Sequence, residues 1–178
     1  MMKRLLKELQ QVKEEKDFKM DAVVHKDSRG VEDWSKWDVY VTGAQGSIYE
    51  GHVLHAKMTF PSRYPNLPPT FTFVTKMFHP NVYSNGKVCI SILHTANDNP
   101  YDSYAANYSW TAVQTVRTVC ISIISLLADP NIKSPANIDA SNMFRDHKEE
   151  YEEKVREMLE KYAKKEADEG QVTIVQKE

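Results

Sequence analysis

The sequence predicts an α+β fold, and three patterns predict it. Apolar residues recur at helical spacing at the N-terminus, over residues 112–128 and over residues 145–163. Between the first two of these stretches, residues 36–75 alternate apolar and polar side chains with the period of half-buried strands. The strands are joined by short connections, which suits an antiparallel meander.

The first segment places Leu5, Leu6, Leu9 and Val12 on one stripe, ringed by Lys3, Arg4, Lys7 and Glu8. Residues 1–19 hold six basic and four acidic side chains, so the helix has a solvated face with a local excess of positive charge, open to a partner. Lys36–Val41 alternates and stops at Thr42-Gly43, a turn signal. Leu54, Ala56, Met58 and Phe60 then alternate with His55, Lys57 and Thr59, and Phe71 and Phe73 repeat the pattern over residues 70–75. Between them, residues 61–69 contain four prolines, which forbid helix and central strand and stiffen an extended surface loop. Residues 79–110 are irregular, with a turn at Asn85-Gly86. From Ala112 to Ala128 the lines Val113, Val116, Cys120, Ile124, Leu127 and Val119, Ile123, Leu126 make a stripe broad enough for a buried helix, ended by Asp129-Pro130-Asn131. A final helix from about Arg145 to Ala163 turns Tyr151, Val155, Met158 and Tyr162 inward. Residues 1–165 thus form one domain, and residues 166–178 a short, frayed tail.

Composition narrows the function. With 178 residues, 41% of them hydrophobic and 27% charged, the chain has the makeup of a globular domain. Twenty-three basic against 25 acidic side chains give a net charge of −2, not the basic excess of a nucleic-acid binder. No apolar run reaches the ~18 residues of a bilayer-spanning helix, and the charged N-terminus is no signal peptide. Two cysteines are too few for a disulfide framework, which suits a cytoplasmic or nuclear protein.

Chemistry concentrates around His79-Pro80-Asn81 and Cys89. Cys120 lies on the apolar helical stripe and reads as a small core residue. Cys89 lies in the irregular stretch, where it is either a nucleophile or a buried thiol on a short strand. Asn81 offers an uncharged amide, either to an oxyanion or to a turn. His79, followed by proline, is locked in a turn, and His94 opens a long polar loop, so no Cys/His/Asp arrangement suggests a hydrolase. Six scattered histidines and two cysteines give no metal-ligand spacing, and no glycine-rich phosphate loop is present.

Eight features in order, over about residues 2–163, resemble the ubiquitin-conjugating enzymes. They are the helix Lys3–Leu9, the Tyr64-Pro65-x-x-Pro68-Pro69 loop, Phe73–Lys76, His79-Pro80-Asn81, Asn85-Gly86, Cys89, Trp110 and Leu126–Asn131. The resemblance implies that family's α+β fold: an N-terminal helix, a four-stranded antiparallel meander, an active-site loop, a central buried helix and C-terminal helices. It implies that Cys89 takes ubiquitin as a thioester from the activating enzyme and passes it to lysine amines with a RING-type ligase. Asn81 would steady the oxyanion or hold the surrounding loop. No cofactor is implied in this chain, since ATP is used upstream by the activating enzyme, and the protein is expected as a monomer without a membrane anchor. Residues 94–109 exceed the family's shorter connection, resembling members with an insertion beside the cysteine, which build degradation-type chains. That insertion carries only Asp98 and Asp102 as charges. Ser134 falls where an acidic side chain often sits, giving His94 and Asp98 supporting parts in deprotonating the acceptor lysine. Arg4, Lys7, Asn66 and the segment beginning at Trp110 would form the face for the ligase and the activating enzyme. The rival is a non-catalytic ubiquitin-binding variant of the fold, against which the presence of Cys89 argues.

Overall fold

The computed structural model describes residues 1–95 and 109–165. Helix α1 (Met2–Lys13) leads into strands β1 (Met20–Lys26), β2 (Glu32–Thr42), β3 (His52–Thr59) and β4 (Thr70–Phe73), followed by a short 3-10 turn (Ser91–Leu93). Helices α2 (Val116–Ala128), α3 (Ile138–Asp146) and α4 (Lys148–Tyr162) follow, and the two-residue strand β5 (Lys164–Lys165) returns to pair with β3. The first four strands are neighbours in chain order and all antiparallel, as the meander requires.

One sheet face is apolar because alternate residues point the same way. Trp37, Val39 and Val41 of β2, Leu54, Ala56 and Met58 of β3, and Phe71 and Phe73 of β4 are all buried. Val116, Val119, Cys120, Ile123, Ile124 and Leu127 of α2 complete this core, with Leu5 and Val12 of α1.

Several elements differ from the sequence reading. Strand β1 escapes the alternation test because Val23 and Val24 are adjacent and a bulge follows at Val24/His25. Helix α2 starts at Val116, not at residue 112. Thr115 caps it, its hydroxyl accepting from the Thr118 amide while the Thr118 hydroxyl accepts from the Thr115 amide. Val113 therefore lies outside the helix and is 80% exposed. The last helical stretch is two helices broken at His147, and Tyr162, expected inward, is exposed. On α1, Leu6 is exposed and Glu8, expected in solvent, is buried.

Candidate active site

The Asn85-Gly86 turn sets the geometry. Gly86 has φ +86°, and a Cβ there would lie 2.3 Å from the Phe73 carbonyl oxygen, so only glycine fits. The turn folds residues 82–88 into a small hairpin, with Val82 opposite Val88 and the Tyr83 amide donating to the Lys87 carbonyl at 2.9 Å. The hairpin lies along β4: the Phe73 amide donates to the Gly86 carbonyl (2.9 Å) and the Val88 amide to the Phe71 carbonyl (3.0 Å). Cys89 leaves this hairpin half-buried, its amide donating to the Asn81 carbonyl at 2.9 Å.

His79 and Asn81 are both buried. The His79 Nε2–H donates to the Leu126 carbonyl (3.1 Å) and Nδ1 accepts the Asn81 amide (3.0 Å), which fixes one neutral tautomer. Burial pushes its pKa down to about 4, outweighing the bonds to the backbone of Leu126 and Leu127. A depressed histidine pKa means that the unfolded chain binds the extra proton first. Its contribution to stability is therefore complete above pH ~6.5 and declines as pH falls toward 4, by about 3 kcal/mol in all. A proton NMR titration should show no His79 midpoint between pH 7 and 5; a midpoint near 6.5 would contradict its enclosure.

The Asn81 side chain is committed on both sides. Its Nδ2 donates to the Asn131 carbonyl (2.8 Å) and its Oδ1 accepts the Asn131 amide (2.8 Å). The Pro80 carbonyl accepts from the amides of Ala136 (2.8 Å) and Asn137 (2.9 Å). The segment 131–137, with exposed Ser134 inside it, is thus pinned at both ends to His79-Pro80-Asn81.

Beyond Cys89, the 3-10 turn reverses the chain and brings the His94 Nε2 to 3.7 Å from the Cys89 Sγ. His94, expected in a supporting part, has its imidazole beside the thiol. Tyr83 was missed altogether. Its pKa is raised by the charge of Cys89, then by hydrogen bonding to it. Its position six residues before the cysteine, across a hairpin turn, was the available signal. The Trp110 amide donates to the His94 carbonyl at 2.7 Å, so the insertion departs and returns at one point beside Cys89. Asp98 lies outside the described residues.

The other expected positions are separate from this cluster. Lys7 and Asn66 are exposed, and Arg4 is partly buried, donating to the Gln114 carbonyl (2.7 Å). Trp110 is only 7% exposed, so it is not itself a contact surface; its indole N–H donates to the Pro65 carbonyl at 2.7 Å and holds the proline-rich loop. No group of three or more candidate metal ligands occurs among the described residues.

A curled antiparallel sheet flanked by helices, with a cysteine delivered beside His79-Pro80-Asn81, defines a class, and comparison identifies it. The family model for ubiquitin-conjugating enzymes matches residues 4–159, and the chain belongs to that family. It is 47% identical over 126 residues to ubiquitin-conjugating enzyme E2 7 of Arabidopsis thaliana, covering 71% of this chain and 76% of that one. It is 44% identical over 124 residues to ubiquitin-conjugating enzyme E2 15 of Schizosaccharomyces pombe, covering 70% and 74%. Among solved structures, the E2 domain of a Toxoplasma gondii ubiquitin conjugating enzyme superposes with a TM-score of 0.74 at 28% identity, covering 92% of this chain and 99% of that one. The protein is therefore an acyltransferase of the cysteine-thioester type.

Proposed function

We propose that Cys89 carries the ubiquitin thioester and that, with a RING-type ligase, it builds degradation-type polyubiquitin chains. The single observation carrying the assignment is the half-exposed Cys89 fastened to Asn81 with the His94 imidazole at 3.7 Å. The Cys89 thiolate attacks the thioester carbonyl on the activating enzyme, that enzyme's thiolate leaves, and the acyl group moves without a cofactor in this chain. An acceptor amine then attacks the new carbonyl, loses a proton, and the tetrahedral intermediate expels the Cys89 thiolate. His94, 3.7 Å from the thiol, takes that proton, while Asp98 of the insertion assists. Asn81, with both amide ends on Asn131, favours the loop-holding part over the oxyanion part. Exposed Ser134 contributes a hydrogen bond at most. The face for the ligase and the activating enzyme is α1 with Arg4 and Lys7, the loop around Asn66, and residues 111–114 after Trp110. The protein works as a monomer in the cytoplasm or nucleus. Incubation with activating enzyme, ubiquitin and ATP should give a ubiquitin adduct that thiol reductant removes; no adduct would refute the reading and leave the non-catalytic variant.

The insertion supplies a sharper test. Its ends meet at the His94–Trp110 backbone bond, so residues 96–108 can be replaced by a short glycine linker without moving Cys89. Charging should stay near normal while chain building slows or changes linkage, and Asp98→Ala should reproduce part of the defect, more at lower pH. Unchanged chain rate and linkage would reduce the insertion to a spacer.

A further inference from the structure

Among the described residues Glu8 is the most enclosed carboxylate, 1% exposed, beside Leu5 and Val12 on the inner face of α1. Both its oxygens accept from the Tyr64 hydroxyl at 2.7 Å, Oε2 accepts the Val116 amide at 2.7 Å, and Oε1 pairs with the Arg4 guanidinium. Burial, and then the bond to Glu8, raises the Tyr64 pKa, so the phenol remains a donor. Three segments distant in sequence therefore end on one carboxylate: α1, the proline-rich loop, and the N-terminus of α2. Two further bonds close the arrangement. Arg4 reaches on to the Gln114 carbonyl, and the Trp110 indole holds the Pro65 carbonyl, next to Tyr64.

A hydrophobic contact in place of this cluster would serve stability equally well, because removing a carboxylate from water is costly unless its bonds are all made. What a carboxylate adds is direction: each donor must approach in a fixed geometry. The segments so fixed carry the exposed groups Lys7, Asn66 and Val113, the last 80% exposed and otherwise an unfavourable place for valine.

We propose that Glu8 is a positioning residue for partner docking, acting through Tyr64 and the Val116 amide to hold α1, the proline-rich loop and residues 111–115 as one face. This rests on the reading above that these segments meet the activating enzyme and the ligase. Glu8 lies on the face's inner side and touches neither partner nor the reacting atoms.

The test is charging kinetics with the activating enzyme, ubiquitin and ATP, using Glu8→Gln and Tyr64→Phe. The second variant removes one hydroxyl and leaves the carboxylate bonded to Arg4 and Val116, so it keeps the test decisive if Glu8→Gln folds poorly. The KM of the activating enzyme for this chain should rise roughly three- to tenfold in each, the equivalent of one net hydrogen bond, with kcat unchanged. Discharge of the preformed thioester to free lysine should also be unchanged. An unaltered KM in Tyr64→Phe overturns the proposal. So does a fall in kcat and discharge that tracks lost thermal stability, since a merely structural role moves those and not KM. Failure of the wild-type chain to charge at all would instead refute the assignment of Cys89.

Discussion

Cys89→Ser is expected to abolish the reductant-sensitive ubiquitin adduct, whereas Cys120→Ser should charge like the wild type. The two thiols differ in exposure and in surroundings. Cys120 is 0% exposed in the middle of α2, and burial pushes its pKa up to about 12. At pH 7 that leaves on the order of one thiolate in 10⁵, sealed from any ubiquitin. Cys89 is half-exposed at the end of a hairpin, beside an imidazole. A serine at 89 still lies there, so slow oxyester formation is expected; an alkoxide is a poorer leaving group than a thiolate, and transfer to lysine stops at that stage. Cys120→Ser buries a hydroxyl and lowers stability by roughly 1–3 kcal/mol if no partner is found, read as an earlier urea midpoint. Gel analysis with and without reductant decides: an adduct that requires Cys120 and survives loss of Cys89 would reverse the assignment.

The core was legible in the sequence because local pattern settled it, whereas Cys89 stood open between nucleophile and buried thiol until eight ordered motifs were read together as a family resemblance. Strands β2 to β4 alternate cleanly, and the stripe through Val116, Cys120 and Ile124 has no competing reading. What could not be read depends on atoms brought together from afar. Nothing in Lys7-Glu8-Leu9 shows that Glu8 meets Tyr64 and Val116, 56 and 108 residues away. Helical spacing carries on through His147, where backbone torsions, not hydrophobicity, divide α3 from α4. Val113 continues the apolar line of α2, yet the Thr115–Thr118 capping box starts the helix three residues later. His94 opens a polar stretch in the sequence, and it is the 3-10 turn from Ser91 to Leu93 that reverses it onto the thiol. Asn81 was recognised, but its two possible parts could be weighed only once Asn131 was found across from it.

Asn81→Ala is expected to slow discharge of the thioester to lysine by about 10²-fold, the cost of misplacing a reacting group, while charging falls far less. The Asn81 amide is the partner of both the N–H and the C=O of that residue, so truncation strips two polar backbone groups at once. Each unmade bond costs roughly 1–3 kcal/mol where water cannot replace it, enough to free segment 131–137 at one of its two anchors. Charging exchanges one thiolate for another and makes little demand on that segment. Discharge requires an amine to lose its proton in a defined position, and the segment is fastened to the same Asn81 whose carbonyl holds the Cys89 amide, so the slower step bears the loss. Asn131 contributes only main-chain atoms to the pair, its Oδ1 accepting the Lys133 amide at 3.0 Å instead, so Asn131→Ala should keep the pair and slow discharge far less than Asn81→Ala. Asn81→Asp separates the alternatives further: it retains an acceptor for the Asn131 amide but loses the donor to its carbonyl. Single-turnover discharge at matched charging measures all three. Equal losses in charging and discharge for Asn81→Ala would assign Asn81 to folding alone, and a wild-type discharge rate would remove it from the mechanism.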